Sequence, residues 1–193
     1  MEASVLMCSI RTAESVCAGH PDKLADQIAD QILDDILYDD KAARVAVEVM
    51  AAGRRIIVTG EITTNHRPRI RESVRTALAR AGYSPLGILI YVWTRRQSSD
   101  INAGVTTSLE ARGGDSSAFA LQGAGDQGTV YGYATAETPE RLPLPLVLAH
   151  RICERLDTAQ VEGTICGIKS DGKAQVSVRY CLLYTSDAAD DLL

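Results

Sequence analysis

Hydrophobic positions recur with a helical period from Pro21 to Asp40, where Leu24, Ile28, Ile32, Leu33, Ile36 and Leu37 share one face and Asp26, Asp30, Asp34 and Asp35 largely fill the other. This pattern predicts an amphipathic helix. Pro21 suits the first helical position because its missing N–H would find no intrahelical acceptor there, and Asp22 sets a carboxylate at the positive end of the helix dipole. Val45, Val47 and Val49 alternate with Ala46 and Glu48, and a second extended run from Ile56 to Ile62 follows the small-residue break Ala51 to Gly53. Two adjacent strands in a hairpin are expected. Pro68 to Arg80 restores the helical period through Ile70, Val74 and Leu78, with Gly82 as a stop signal, and Ile88 to Val92 reads as a strand.

From Arg95 to Gly128 the chain turns to Gly, Ser, Asp and Thr without periodicity, and so long a gap inside a compact domain marks a functional or mobile loop. Beyond it, Thr129 to Tyr133 reads as extended, Leu146 to Leu156 as helical, and Ala174 to Tyr180 as a strand after the turn Asp171-Gly172. The expected class is α+β, with sheets carrying helices on one face. The expected organisation is a first domain over 1–97, a loop over 98–118 and part of a second α+β unit over 119–180. The last thirteen residues, 181–193, do not continue the strand pattern and carry Asp187, Asp190 and Asp191. They resemble translated adapter read-through, so a non-native tail is expected there.

With 193 residues the chain has room for one large domain or two small ones, and 46% hydrophobic with 23% charged residues excludes disorder as a whole-chain answer. The net charge of −5 leaves no global basic field for nucleic acid or anionic membrane, so an anionic ligand needs a local site. Neither nucleic acid nor membrane is an expected partner; Trp93 with Arg95 and Arg96 is too short a basic patch on an acidic chain. Cys8, Cys17, Cys153, Cys166 and Cys181 are odd in number and form no CxxC pair, which argues against a disulfide framework or a zinc ribbon and favours a reducing, cytoplasmic setting. The longest apolar run, Ile88 to Trp93, is far too short for a membrane span. No signal peptide is expected either.

Several groupings could carry chemistry. His20-Pro21-Asp22-Lys23 gathers an imidazole, a carboxylate and an ammonium at a helix start, which suits a polyphosphate with Mg²⁺ or simply a stabilised helix terminus. Glu48 and Glu61 are carboxylates among strand residues, available to a hard cation or an ammonium, or else pointing from a solvated sheet face. Gly123-Ala124-Gly125-Asp126-Gln127-Gly128 matches GxGxxG, but the aromatic, Gly-punctuated text after it is not a helix, so a dinucleotide fold is rejected. There Asp126 either meets an ammonium beside close backbone or belongs to a tight turn. Asp171-Gly172-Lys173 is either a lysine aimed at phosphate or an ordinary turn.

Taken in order, AESVCAGHPDKLADQIADQILD, GEITT, QSSDINAGV, GAGDQGTVYGYATAET and DGKAQVSV closely resemble the S-adenosylmethionine synthetase (methionine adenosyltransferase) family from about Thr12 to Tyr180, with less similarity over Ser84 to Arg95 and Ala159 to Ser170. The resemblance implies repeated α+β domains, of which the chain would hold the N-terminal one and part of the central one. It also implies a transferase making S-adenosylmethionine from ATP and L-methionine, with the triphosphate hydrolysed to phosphate and pyrophosphate, two Mg²⁺ per site and K⁺. Carried over residue by residue, His20 and Lys173 would be catalytic and, with Asp171, bind ATP. Asp22 would hold Mg²⁺ and Glu48 would help bind K⁺, while Glu61, Gln97 and Asp126 would orient the methionine. Ser98 to Gly113 would be a gating loop. Sites would lie between subunits of a homodimer or tetramer. The family's later segments are missing from this chain, so little turnover is expected of it alone, and Ser170 stands where the family usually has proline. The alternative is a shortened, non-catalytic nucleotide-binding or regulatory subunit.

Overall fold

The structure, a computed structural model, describes residues 5–98, 108–117, 119–120 and 128–184. The chain forms two compact units, one contiguous over residues 21–132 and one split between residues 1–20 and 133–193.

In the contiguous unit, helix α1 (Pro21–Asp39) takes the length its pattern predicts and buries Leu24, Ile28, Ile32 and Ile36. Strands β2 (Arg44–Ala52) and β3 (Arg55–Thr63) pair antiparallel with Ala52 opposite Arg55, so Gly53 and Arg54 alone make the turn and Gly53 takes a φ of 56°. Helix α2 (Ile70–Arg80) crosses back to β4 (Leu89–Arg95), which joins β3 in parallel. The resulting order is β2-β3-β4. Gly82 does end α2: at φ 79° it lets the Tyr83 N–H return to the Leu78 carbonyl at 2.9 Å.

The helices meet one face of this sheet. Ile56, Val58 and Ile62 of β3 pack with the α1 stripe and with Ile70, Val74, Ala77 and Leu78 of α2. Each such side chain contributes about 1.5–3 kcal/mol when fully buried. Gln31, buried on α1, accepts from Arg80 Nη1 at 2.7 Å and donates to Asp35 Oδ1 at 2.8 Å, so the polar group between the helices is satisfied. Within the predicted loop, Leu109–Arg112 forms a one-turn helix, α3, capped by the Ser108 hydroxyl accepting from the Ala111 N–H at 3.0 Å.

The split unit pairs β1 (Val5–Val16) antiparallel with β5 (Lys173–Tyr184), and helix α4 (Leu144–Glu162) packs on both. Glu137 accepts from the Leu144 N–H at 3.0 Å at the start of α4 and from the Tyr180 hydroxyl at 2.7 Å. Gly163, at φ 69°, ends the helix.

Three readings of the sequence are corrected, and one element goes beyond them. The N-terminal segment is a strand, unseen because Ile10 is exposed and the alternation is weak. Residues 129–133 form no strand, since Gly132 and polar neighbours leave Val130 and Tyr131 exposed. Strand β5 runs through Cys181 to Tyr184, carried past the pattern by its pairing with β1. Finally, Cys8 and Cys181 face each other in that pairing and form a disulfide; 173 residues apart, they make no readable spacing motif. Among the described residues, no helix is long and apolar enough to cross a membrane.

Candidate functional site

The split unit brings the segment ending in His20 beside the Asp171-Gly172-Lys173 turn. Where β1 ends, the pairing with the incoming β5 continues through the turn: the Cys17 N–H donates to the Gly172 carbonyl at 2.8 Å and the Gly19 N–H to the Ser170 carbonyl at 3.0 Å. His20 therefore leaves one of the paired segments next to where Asp171 and Lys173 flank Gly172 in the other. Only glycine fits the crossing, because a Cβ on Gly19 would fall 2.4 Å from Ser170 Cβ and 2.7 Å from its carbonyl carbon and oxygen. Ser170 is buried and forms one wall of it.

Glu14 completes this set. Its Oε1 lies 2.7 Å from Lys173 Nζ across the β1–β5 pairing, with both side chains about half exposed. The hydrogen bond from Lys173 holds the Glu14 carboxyl below the usual carboxylate range, helped by Gln175 and by the charge of His20, while partial desolvation works the other way. Sequence reading missed Glu14: its partner is 159 positions along the chain, and only the strand register brings them together. Beneath lies Cys17, 2% exposed, with its thiol directed at the Cys153 carbonyl at 3.8 Å. Burial pushes this thiol up to about 12, and Cys153 and Asp157 push in the same direction. Asp157 accepts from the Ala18 N–H through both oxygens at 3.2 and 3.1 Å.

The contiguous unit holds the other group of residues, on the sheet face that, among the described residues, carries no helix. The register places Glu61 opposite Arg95 and Thr59 opposite Trp93 on the neighbouring strand, with Glu48 opposite Thr59 on the other side. Arg95 Nη2 and Nε both approach Glu61 Oε1 at 3.0 Å. Glu61 is thus a partnered carboxylate, its side chain 19% exposed, whereas Glu48 is exposed as the solvated-face alternative expects. Gly60 gives Glu61 its setting: at φ 130°, a Cβ there would meet the Ala46 carbonyl oxygen at 2.1 Å. Two residues past Arg95, Gln97 Oε1 is buried without a hydrogen-bond partner. Asp126, most of its glycine-rich segment and much of the expected gate, residues 99–107, lie outside the described residues.

Asp22 is exposed at the start of α1. Among the described residues no three His, Cys, Asp or Glu side chains converge as a metal cluster. One carboxylate at a helix start suits a Mg²⁺ ion carried in by phosphate oxygens rather than an all-protein cage.

Comparison with known proteins also divides the chain in two, but in sequence order, so that most of β1 falls in the first matched segment although it pairs with β5 of the second. Residues 9–100 match the family model for the S-adenosylmethionine synthetase N-terminal domain, and residues 121–189 match that for the S-adenosylmethionine synthetase central domain. Similar curated proteins include S-adenosylmethionine synthase 1 of Frankia casuarinae, 43% identical, and the S-adenosylmethionine synthases of Nocardia farcinica, 43%, and Kosmotoga olearia, 48% identical. Each comparison covers 88% of this chain and 44–45% of the relative, so the chain spans a little under half the length of the curated relatives it matches. With both domain models matched in order and together spanning most of the sequence, the chain belongs to the S-adenosylmethionine synthetase family.

Proposed function

We propose that this chain, within a polypeptide of its relatives' length, supplies the N-terminal and central parts of an enzyme that makes S-adenosylmethionine from ATP and L-methionine. The methionine sulfur attacks C5′ of ATP, the C5′–O5′ bond breaks, and its electron pair leaves with the triphosphate, which water then cleaves to phosphate and pyrophosphate. A thioether needs no base, so the protein's task is to align the sulfur in line and to stabilise the charge that develops on the departing oxygens.

The observation that supports this most is the backbone union of the His20 segment with Asp171-Gly172-Lys173. It ties the backbone next to His20 to the backbone next to Lys173, so an imidazole and an ammonium start from neighbouring segments, which would suit charge stabilisation on a leaving group. His20 would donate a hydrogen bond near the breaking bond, Lys173 would contact phosphate oxygens and Asp171 the ribose hydroxyls. Glu14 would hold Lys173 in place until phosphate replaces it. Mg²⁺, two per site, would add positive charge to the triphosphate, with Asp22 holding one ion and Glu48 a K⁺. Glu61, Gln97 and Asp126 would orient methionine. Two or four copies would assemble, with sites between subunits.

Product formation from ATP and methionine tests this reading. The 193-residue chain alone should give little or none, and a polypeptide extended to the relatives' length should give S-adenosylmethionine. In that longer protein, His20→Asn or Lys173→Met should lower the alkyl-transfer rate about a hundredfold while leaving the circular dichroism unchanged. Unchanged rates would remove the residue from the catalytic set, and absence of product would remove the function.

A further inference from the structure

On the helix-free face of the three-stranded sheet, Thr59, Gly60, Glu61, Trp93, Thr94 and Arg95 line an open cavity of about 520 Å³. Its two charges are unequal in freedom. The Glu61 side chain is 19% exposed and the Arg95 side chain 81% exposed, although both guanidinium contacts end on the same carboxylate oxygen. The carboxylate is part of the floor, whereas the guanidinium reaches over it from a long, solvated stem.

We infer that Arg95 is the specificity residue that receives the α-carboxylate of the amino-acid substrate. A free amino acid is a zwitterion, and the Glu61–Arg95 pair is its electrostatic complement. When a ligand ammonium takes the Glu61 oxygen, the guanidinium is displaced, and a carboxylate one carbon from that ammonium is within its swing. One internal ion pair is then replaced by two, and the planar guanidinium can meet the carboxylate with two parallel hydrogen bonds. An amine without a carboxylate breaks the internal pair and offers Arg95 nothing in return. Trp93, 65% exposed, adds an apolar wall. Sulfur next to an aromatic ring is a favourable contact, so the wall suits a thioether side chain. The choice of methionine rests on the function proposed above, whereas recognition of a zwitterion rests on the pair itself.

Trp93 is the sole tryptophan of the chain and reports on its own cavity. Its fluorescence would be followed while the chain is titrated with L-methionine and, separately, with 3-(methylthio)propylamine, which lacks only the carboxylate. L-Methionine should give a saturable change at lower concentration than the amine. Arg95→Gln should weaken L-methionine about tenfold or more, the worth of a charged hydrogen-bond pair, and leave the amine unchanged or tighter. Arg95→Lys should recover part of the loss. Equal weakening of both ligands would show Arg95 to be structural support, and either unchanged L-methionine affinity in Arg95→Gln or no saturable response in the original chain would also overturn the inference. In the longer protein the two proposals separate. Product formed with the same KM for methionine in Arg95→Gln sinks the role of Arg95 and keeps the synthetase. The expected titrations without product keep the zwitterion pocket and sink the synthetase.

Discussion

At the scale of single residues, the crossing of Gly19 and Ser170 decides whether the His20 and Lys173 motifs stay together. Replacing Gly19 with alanine puts a methyl 2.4 Å from Ser170 Cβ and 2.7 Å from backbone atoms, which only separation of the segments relieves. Gly19→Ala should destabilise the protein by about 1–3 kcal/mol in urea unfolding, and an unaltered midpoint would show that the crossing is not tight. Cys17 gives a pH prediction. Its thiol, ordinarily near 9.0, is pushed up to about 12 by burial. The native state therefore keeps a proton that the unfolded state gives up, so this group's contribution is intact below pH 9.0 and is lost as pH rises towards about 12. Only the thiolate alkylates readily. With iodoacetamide at neutral pH, exposed Cys166 should be modified well before Cys17, and mass spectrometry showing equal rates would contradict the burial. His20, Asp171 and Lys173 were legible as local motifs because their neighbours in sequence carry the signal. Glu14 and the Gly19–Ser170 crossing were not, because their partners lie some 150–160 positions away and a register between distant strands leaves no local trace.

At the scale of elements, the strongly periodic segments were the legible ones. Helix α1 and the β2–β3 hairpin bury one face each, and burial of one face is what writes a period into sequence. β1 and β5 instead form a two-stranded ribbon with much exposed surface, so β1 carries little pattern and the end of β5 was misjudged. Gly60 is the point in β3 where local and long-range demands meet. Its φ of 130° and the 2.1 Å approach of the Ala46 carbonyl to any Cβ leave room for glycine alone. Gly60→Ala should cost about 1–3 kcal/mol and shift the neighbouring Glu61, so amide exchange along β2 and β3 should quicken. Exchange as slow as in the original protein would show that the strand absorbs the methyl without opening.

At the scale of the whole molecule, β4 poses a question that the contiguous unit does not answer by itself. Its run Leu89 to Trp93 is apolar at every position, the mark of a strand covered on both faces. Among the described residues, helices cover only one: on the other, Leu89, Tyr91 and Trp93 of β4 and Met50 of β2 are exposed by 51, 38, 65 and 55%. A row of large apolar groups on a free sheet face marks an interaction surface, and a second copy is the occupant proposed here, as the proposed sites between subunits would require. The α+β class was legible in the sequence, but this open face was not, because the alternation of Val45, Val47 and Val49 with Ala46 and Glu48 reads as an ordinary solvated strand. Met50 lies opposite Ile57, which in turn lies opposite Tyr91, so it borders the centre of the apolar row without filling the core. Met50→Lys should leave folding intact, since the position is already half exposed, and set a charge that an apolar partner face cannot solvate. Sedimentation velocity should then show reversible association of the original chain and a monomer for the variant at the same concentration. Equal association of both would place the contact elsewhere and leave the second face of β4 to another segment.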